Sequence, residues 1–499
     1  MTPSRTIMSP AEVLSFLSRH QDRHTSNKVL HGHPSPAFWR DAADATALRS
    51  SWAAQPRHPA RVNLYFSIPF CLPTDPPHCG FCLFPTEDYR GKTAASHYLE
   101  LMAREIELQR DVHRGSQLES FYVGGGTPNL LHPGDYGRLM ELAEGLFPGQ
   151  TQGIEKTLEG IPQLFSEDKI RAIQAAGFNR VSMGVQQLNE RLIRYSGRRQ
   201  TNRQVFDAIA SFARHDLACN VDLIYAWPEQ TVQDMLEGLR AVVASGIRHI
   251  THYELNIAGR SDFAQRQKQH VPSVAQKLEM YLQAKAYLES EGFVQRTVYD
   301  WERPEAVALP SGLKAAEYRY EQNLRDGLDA TDPEARRYMC GFGHAAVNVR
   351  VHHSSVGDPS VSSMNWRSLT RYAESVQAGR MPVERFHVHT DEDVRLLWLF
   401  QSLQEMAVGL DKYHAHFGTE FVDDFAGVAE VLEQRGWASV RHRTWQLSAE
   451  GSFYVPLIQS LMAQPRVLAL QAASAQQAAR PVRIPIRPVT EAGACSPTP

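Results

Sequence analysis

From Arg61 to about Asp300 the chain alternates short apolar strands with helical patterns, and that alternation leaves few folds open. Strands are read at 62–68, 119–124, 154–159, 180–185, 218–225 and 248–257. Val62, Leu64, Phe66 and Ile68 alternate through the first, as a half-buried strand requires. Between the strands, Tyr98, Leu101, Met102 and Ile106, and then Val205, Ile209 and Phe212, recur at helical spacing. Alternation of this kind builds parallel βαβ units. Six units without a closing pair predict an α/β fold, an incomplete (β/α)6 barrel of TIM type, open on one side for a large substrate. Barrel chemistry gathers at the C-terminal ends of strands, so the residues at those ends are the first candidates for function.

Flanking segments read differently. Residues 1–60 hold one amphipathic helix, Pro10 to Arg19, then an extended Pro- and His-containing stretch in which His31, His33 and His58 read as scattered surface histidines. Residues 301–389 are less regular and read as a connecting region with a Gly-rich turn, and Asn365-Trp366 is expected to open a helix through Ser375. From 390 to 464 helices are followed by a short strand pair, and 465–499 lack periodicity and read as a disordered tail.

A net charge of −3 gives no electrostatic case for nucleic acid or an anionic membrane. No apolar run reaches the length of a membrane span, and no signal-peptide pattern opens the sequence. Of the six cysteines, three cluster in one loop, which fits a reducing cytoplasm better than a disulfide framework. Cys219 and Cys340 read as packed thiols and Cys495 as inert.

The clustered three, Cys71, Cys79 and Cys82, lie just beyond the first strand, which Pro69 stops. Three thiolates on one loop can hold three irons of a [4Fe–4S] cluster, leaving the fourth iron open, whereas an electron-transfer cluster normally takes a fourth cysteine. Two other readings stand beside this one. Cys79 and Cys82 alone have the spacing of a thioredoxin-like redox pair. With His78 the three cysteines have the composition of a structural zinc site, although adjacent His78 and Cys79 are awkward ligands for one tetrahedral ion.

The loop resembles the signature of radical S-adenosylmethionine (SAM) enzymes, specifically the oxygen-independent coproporphyrinogen III oxidase-like family, Tyr-x-His-Ile-Pro-Phe-Cys-x3-Cys-x2-Cys. Tyr65, Ile68, Pro69, Phe70 and the last Cys-x2-Cys match in place, while Ser67 replaces the usual His and four extra residues widen the first cysteine gap. The resemblance covers roughly residues 61–460, with its motifs in family order. It implies a radical SAM barrel carrying a small winged-helix-like, mainly helical C-terminal domain, and a place for residues 1–60 across the barrel mouth as a lid.

It also implies roles. Cys71, Cys79 and Cys82 become the cluster ligands and Tyr65 the catalytic candidate. Gly125, Gly126 and Thr127 belong to a Gly-Gly-Gly-Thr-Pro turn after the second strand, where backbone can approach the SAM amino group closely. Glu159, ending the third strand, pairs with that ammonium; a surface glutamate is the plain alternative. Gln186 reaches the ribose, Arg198 pairs the SAM carboxylate, and Asp222 binds the ribose, with a satisfied structural aspartate as its alternative. His252 and Tyr253, on the sixth strand, face substrate or simply pack. Phe342, Gly343 and Ala346 match a Gly-x-Gly-x-x-Ala turn that lies near a second SAM molecule in relatives that use two.

In such enzymes the cluster reductively cleaves SAM to a 5′-deoxyadenosyl radical, with electrons from a partner such as flavodoxin or ferredoxin. Three branches differ in the use they make of that radical. Coproporphyrinogen oxidation is weakened by Phe84, which stands where that branch has an additional cysteine. A heme-chaperone role is weakened because only Asn323 survives of a His-Asn-x-x-Tyr-Trp motif expected at 322–327. By elimination the preferred reading is methyl or methylene transfer to an unsaturated, aromatic or porphyrin-like small molecule.

Overall fold

The computed structural model describes residues 7–22, 32–41, 60–304 except 258 and 260, 336–352 and 359–478. Six parallel strands run side by side in chain order: β1 (Arg61–Ile68), β2 (Gln117–Gly125), β3 (Glu155–Gly160), β4 (Arg180–Gln186), β5 (Ala218–Tyr225) and β6 (His249–Glu254). Helices α2 (Lys92–Gln109), α3 (Pro133–Leu146), α4 (Glu167–Ala175), α5 (Asn202–Arg214) and α6 (Val232–Ala244) fill the crossovers, and α7 (Val274–Ser290) comes after β6. Val62, Leu64, Phe66 and Ile68 of β1 are buried in the main hydrophobic core, where Phe66 meets Phe121 edge-on. On the alternate face of β1 the partners are polar, as where Ser120 donates to Asn63 at 2.7 Å. This period-two division is what the apolar alternation anticipated.

The described parts of residues 301–389 extend the sheet. Strand β7 (Asp300–Glu302) pairs antiparallel with β6, and β8 (Arg337–Phe342) lies parallel beside β1. Strands β9 (Val347–Arg350), β10 (Val361–Asn365) and β11 (Val383–Val388) continue antiparallel from β8. Together they form one open sheet of 13 strands, from Arg40–Asp41 at one edge to Val294–Gln295 at the other. Strand β10 escaped notice because Ser362, Ser363 and Asn365 are buried with Val361 and Met364, so polarity does not alternate along it. The expected helix at Asn365–Trp366 starts instead at Leu369, as α8 (Leu369–Gln377) capped by Ser368.

The C-terminal unit strings α9 (Asp391–Gln404), β12 (Ala407–Gly409), α10 (Leu410–Phe417), α11 (Ala426–Gln434), β13 (Ala438–Arg441) and β14 (Thr444–Leu447) in winged-helix order, with the sheet arranged β12-β14-β13. Helix α1 (Pro10–His20) begins with a Ser9–Glu12 capping box and buries Val13, Phe16 and Leu17. It packs on α11, so closely that a Cβ at Gly427 would strike the Met8 carbonyl oxygen. Helix α1 is therefore a brace on the C-terminal unit, covering the helix that a DNA-binding winged helix would present, while Arg40–Asp41 pairs with β11. His33, expected at the surface, is buried with Nε2 3.5 Å from Asp393; His31, His58 and Cys495 lie outside the described residues.

The tail expectation also fails in part. Helix α12 runs Val455–Ala478, past residue 465. Its Ala-, Leu- and Gln-rich sequence favours helix without any amphipathic period, and Arg466 clamps Asp393 of α9 at 2.8 and 2.9 Å. Among the described residues no helix is long and apolar enough to cross a membrane.

Candidate functional site: a three-cysteine cavity at the strand ends

At the C-terminal ends of β1–β6 lies a cavity of about 480 Å³ whose wall carries Cys71, Cys79 and Cys82. The loop that bears them is tied down by backbone. Gly126 N donates to Ile68 O and Thr127 N to Phe70 O, both at 2.7 Å, so the loop after β1 runs alongside the glycine turn after β2. A Cβ at Gly126 would sit 2.5 Å from Phe70 O, which is why glycine is required there. Cys71 Sγ then lies 3.4 Å from Thr127 Oγ1. The widened cysteine gap folds on itself. Thr74 Oγ1 donates to Pro76 O at 2.8 Å and accepts from Cys79 N at 2.9 Å, while Cys82 N reaches His78 O at 3.0 Å. Asp75, in the insert, packs on Gly197, where a Cβ would come 2.7 Å from the Asp75 nitrogen. The insert thus docks against the turn that holds Arg198.

Ten of the fourteen residues singled out in the sequence line this one cavity: the cysteines with Gly125, Gly126, Thr127, Glu159, Gln186, Arg198 and Asp222. Glu159 accepts from Tyr122 Oη at 2.7 Å and Gly125 N at 3.2 Å. Burial pushes its carboxyl up to about 7 despite those donors. Arg198 donates to Gly184 O at 2.5 Å and Gln200 Oε1 at 3.0 Å, and its Nη1 lies 3.9 Å from Cys79 Sγ. Asp222 accepts from Asn220 at 2.7 Å and Ser182 at 3.0 Å; burial raises its carboxyl and these donors oppose that rise.

Four residues are not in that wall. Tyr65 stacks on Tyr122 with ring centroids 5.9 Å apart, so it stands behind the tyrosine that holds Glu159. Phe342 is core, edge-on to Phe66. Gly343 is sealed by Tyr98 and Ser67, and its N–H donates to buried Glu105 at 2.7 Å. Ala346 is also buried. The turn that motif matching assigned to a second SAM is therefore packed against the barrel, because its strand β8 pairs with β1. The neighbours of these residues, Ala345 and Val347, line a different cavity.

That second cavity, of about 600 Å³, adjoins the first: Phe81, Ile224 and Tyr253 belong to both walls. Aromatic and apolar side chains dominate it, among them Phe84, Tyr225, Tyr281, Tyr299 and Phe453, the last from the C-terminal unit. His252 lines it as a neutral imidazole, since burial pushes its pKa down to about 3. Of Lys and Arg side chains, the described wall includes one, Arg367, whose Nη2 is bound to Glu384 at 2.8 Å. The stretch 322–327 lies outside the described residues. Sequence reasoning overlooked Phe81, Ile224, Ser182 and Asn220, although Phe81 and Ile224 adjoin residues it singled out.

The donor set fits an iron–sulfur cluster better than a zinc ion. Among the described residues no three His, Cys, Asp or Glu side chains converge on a single ion, as a closed tetrahedral site demands. His78 instead turns its Nδ1 to Thr86 at 2.9 Å. The three sulfurs share one cavity wall, the arrangement that separate irons of a cube would use. Burial raises the Cys71 thiol and pushes Cys82 up to about 11, so thiolates here require a coordinated cation beside them.

Comparison with known proteins agrees with the donor set. Residues 76–242 match the radical SAM superfamily, beginning inside the widened cysteine gap. Anaerobilin synthase of Escherichia coli O157:H7 is 26% identical over 415 residues, covering 82% of this chain and 85% of that protein. A heme chaperone of Synechocystis is 29% identical over 249 residues, 48% of this chain and 59% of the relative. Among solved structures, coproporphyrinogen III oxidase from Escherichia coli superposes with a TM-score of 0.72 at 22% identity, covering 87% of this chain and 96% of that one; this likeness speaks for the fold. Residues 76–242 thus form a radical SAM domain, and the chain is an enzyme that over most of its length resembles the oxygen-independent coproporphyrinogen III oxidase-like proteins.

Proposed function

We propose that Cys71, Cys79 and Cys82 hold a [4Fe–4S] cluster, that SAM fills the remainder of the 480 Å³ cavity, and that the enzyme transfers a methyl or methylene group to an unsaturated carbon of an apolar, planar substrate seated in the adjoining 600 Å³ cavity. The cluster, once reduced, supplies one-electron cleavage of SAM to a 5′-deoxyadenosyl radical. The chain's part is to orient and to exclude water. Glu159 offers a carboxylate for the SAM ammonium beside the glycine turn. Arg198 presents its guanidinium to the carboxylate, and Gln186 and Asp222 face the ribose. Phe81 is wedged edge-on between Trp227 and Phe263, so the partition between the two cavities is stiff.

The second cavity's chemistry supports this choice of reaction. Decarboxylating coproporphyrinogen III requires cationic partners for its propionate carboxylates. The described wall contains one Arg or Lys, Arg367, which Glu384 already engages, together with a neutral His252 and the carboxylate of Glu254. An aromatic wall of this kind suits an unsaturated, weakly charged ring system.

Anaerobic reconstitution with iron and sulfide, then dithionite, SAM and candidate aromatic or tetrapyrrole substrates, tests the proposal by mass spectrometry of small products. Both 5′-deoxyadenosine and S-adenosylhomocysteine are expected with an active substrate. Turnover that yields 5′-deoxyadenosine and carbon dioxide but never S-adenosylhomocysteine would replace methyl transfer by decarboxylation.

Glu159 makes a separate pH prediction. Its carboxyl titrates at about 7, and only the ionised form attracts an ammonium. SAM affinity of the reconstituted protein should therefore rise as pH increases toward 7, by roughly tenfold per unit on the rising limb, and fall again above about pH 8, where an α-ammonium loses its own proton. In Glu159→Gln the rise should vanish and binding stay weak, as read by equilibrium dialysis between about pH 5.5 and 8.5. A wild-type affinity that is flat over this range contradicts the pairing.

A further inference from the structure

Behind Asp222 a chain of buried polar side chains crosses the barrel interior. Asn220 Nδ2 donates to Asp222 Oδ1 at 2.7 Å and to Ser182 Oγ at 3.1 Å. Ser182 Oγ donates to Asp222 Oδ2 at 3.0 Å. Asn220 Oδ1 in turn faces Thr251 Oγ1 at 3.1 Å, and Thr251 also reaches Asp300 Oδ1 at 2.9 Å. Asp300 accepts from Thr297 Oγ1 at 3.0 Å and lies 3.4 Å from His249 Nε2. Arg180 closes the series with Nη2 3.0 Å from His249 Nδ1.

Donor and acceptor roles follow from the chemistry of the groups at each end of this chain. A guanidinium only donates, so His249 Nδ1 accepts and its proton sits on Nε2, toward Asp300. With the Asp222 carboxylate ionised, the Asn220 amide turns its nitrogen to Asp222 and Ser182, as the bonds at 2.7 and 3.1 Å record. The ring Asn220–Ser182–Asp222 is then closed, with every donor used inward. Each Asp222 oxygen accepts one bond from the described residues and keeps lone pairs free on the cavity side. Two carboxylate oxygens offered side by side match the neighbouring hydroxyls of a cis-diol.

We infer that Asn220, with Ser182, is a positioning residue that holds the Asp222 carboxylate turned into the cavity for the two ribose hydroxyls of a nucleoside ligand, and so sets a preference for ribose over 2′-deoxyribose. The inference rests on the reading that SAM occupies this cavity. It adds that the ribose selectivity is built one step behind the carboxylate, by a buried amide whose Nδ2 is shared between Asp222 and Ser182. Ser182, Asn220, Thr251 and Asp300 are all buried, so the series is assembled before any ligand arrives.

The test uses the full-length, iron-reconstituted protein with S-adenosylhomocysteine and its 2′-deoxy counterpart as probes, read by equilibrium binding. Wild type should prefer the ribose form by about tenfold or more, the worth of one hydrogen bond to a charged group. In Asn220→Ala, and separately in Ser182→Ala should the first variant melt early, this preference should shrink to about threefold or less. The loss should come from weaker binding of S-adenosylhomocysteine, with the 2′-deoxy ligand unchanged. A merely structural role would weaken both ligands alike, and that result, or an undiminished preference, overturns the inference. Asp222→Asn separates the positioning role from the SAM assignment beneath it. If it keeps the ribose preference, the ribose does not lie on Asp222 and the positioning role falls, whereas failure of the wild type to bind either probe would remove the assignment of SAM to this cavity.

Discussion

Cys71→Ala, Cys79→Ala and Cys82→Ala variants are each expected to emerge from anaerobic reconstitution without a [4Fe–4S] cluster and to form no 5′-deoxyadenosine from SAM and dithionite. The three cysteines line one wall, and among the described residues no fourth cysteine stands in it to replace a lost ligand. Cys219 lies on β5 and Cys340 on β8, outside that cavity. Iron and sulfide analysis with the visible absorption band checks the first outcome, and product mass spectrometry the second. Full iron content and SAM cleavage in any one variant would remove that residue from the ligand set. Phe81, Leu83 and Phe84 neighbour the third cysteine and carry no ligand atoms, so Leu83→Ala serves as a control in the same loop.

The second large effect is one of stability. Glu105 of α2 is fully buried and accepts from Gly343 N, Tyr372 Oη and Asn365 Nδ2, each at 2.7 Å, and from Gln109 at 3.2 Å. It thereby fastens the turn after β8, the end of β10 and helix α8 to the barrel. Glu105→Ala strands these donors in the interior and should cost about 3–5 kcal/mol in urea unfolding. Burial pushes the Glu105 carboxyl from its ordinary 4.5 up to about 7. The folded chain then binds this proton more tightly than the unfolded one. Its contribution to stability is fully present below pH 4.5 and declines as pH rises to about 7. That decline should be missing in Glu105→Gln. A loss in Glu105→Ala of less than about 1 kcal/mol would mean that the turn is held by other contacts. Because Ala345 and Val347 of the same region line the second cavity, the looser turn should also weaken substrate binding more than SAM binding.

The strands of the barrel were legible because burial on one face and polarity on the other imprint a period of two, as in Val62, Leu64, Phe66 and Ile68. Strand β10 left no such trace, since its serines and asparagine are buried in hydrogen-bonded company. Tyr65 and Phe342 illustrate a second limit. Each matches a family position, but a motif fixes order along the chain and not the face of the sheet to which a side chain turns. Pairing of β8 with β1 sends Phe342 into the core beside Phe66, and Tyr65 ends behind Tyr122. The tail was misjudged for another reason: α12 is held by the Arg466–Asp393 contact, which links residues 73 positions apart.

What the sequence determined by itself is the chemistry of one cavity: three thiols in a loop just past a strand-ending proline, glycines where backbone must pass backbone, a carboxylate and an amide at successive strand ends, and a guanidinium in a turn beyond the second. These are local requirements, each met within a few residues, and so they can be read in order along the chain. Tertiary structure alone decided the second cavity, the brace of α1 on α11, and the buried series from Arg180 to Asp222. Each of those joins side chains that lie far apart in the chain, and its energy exists only once the sheet has brought them into contact.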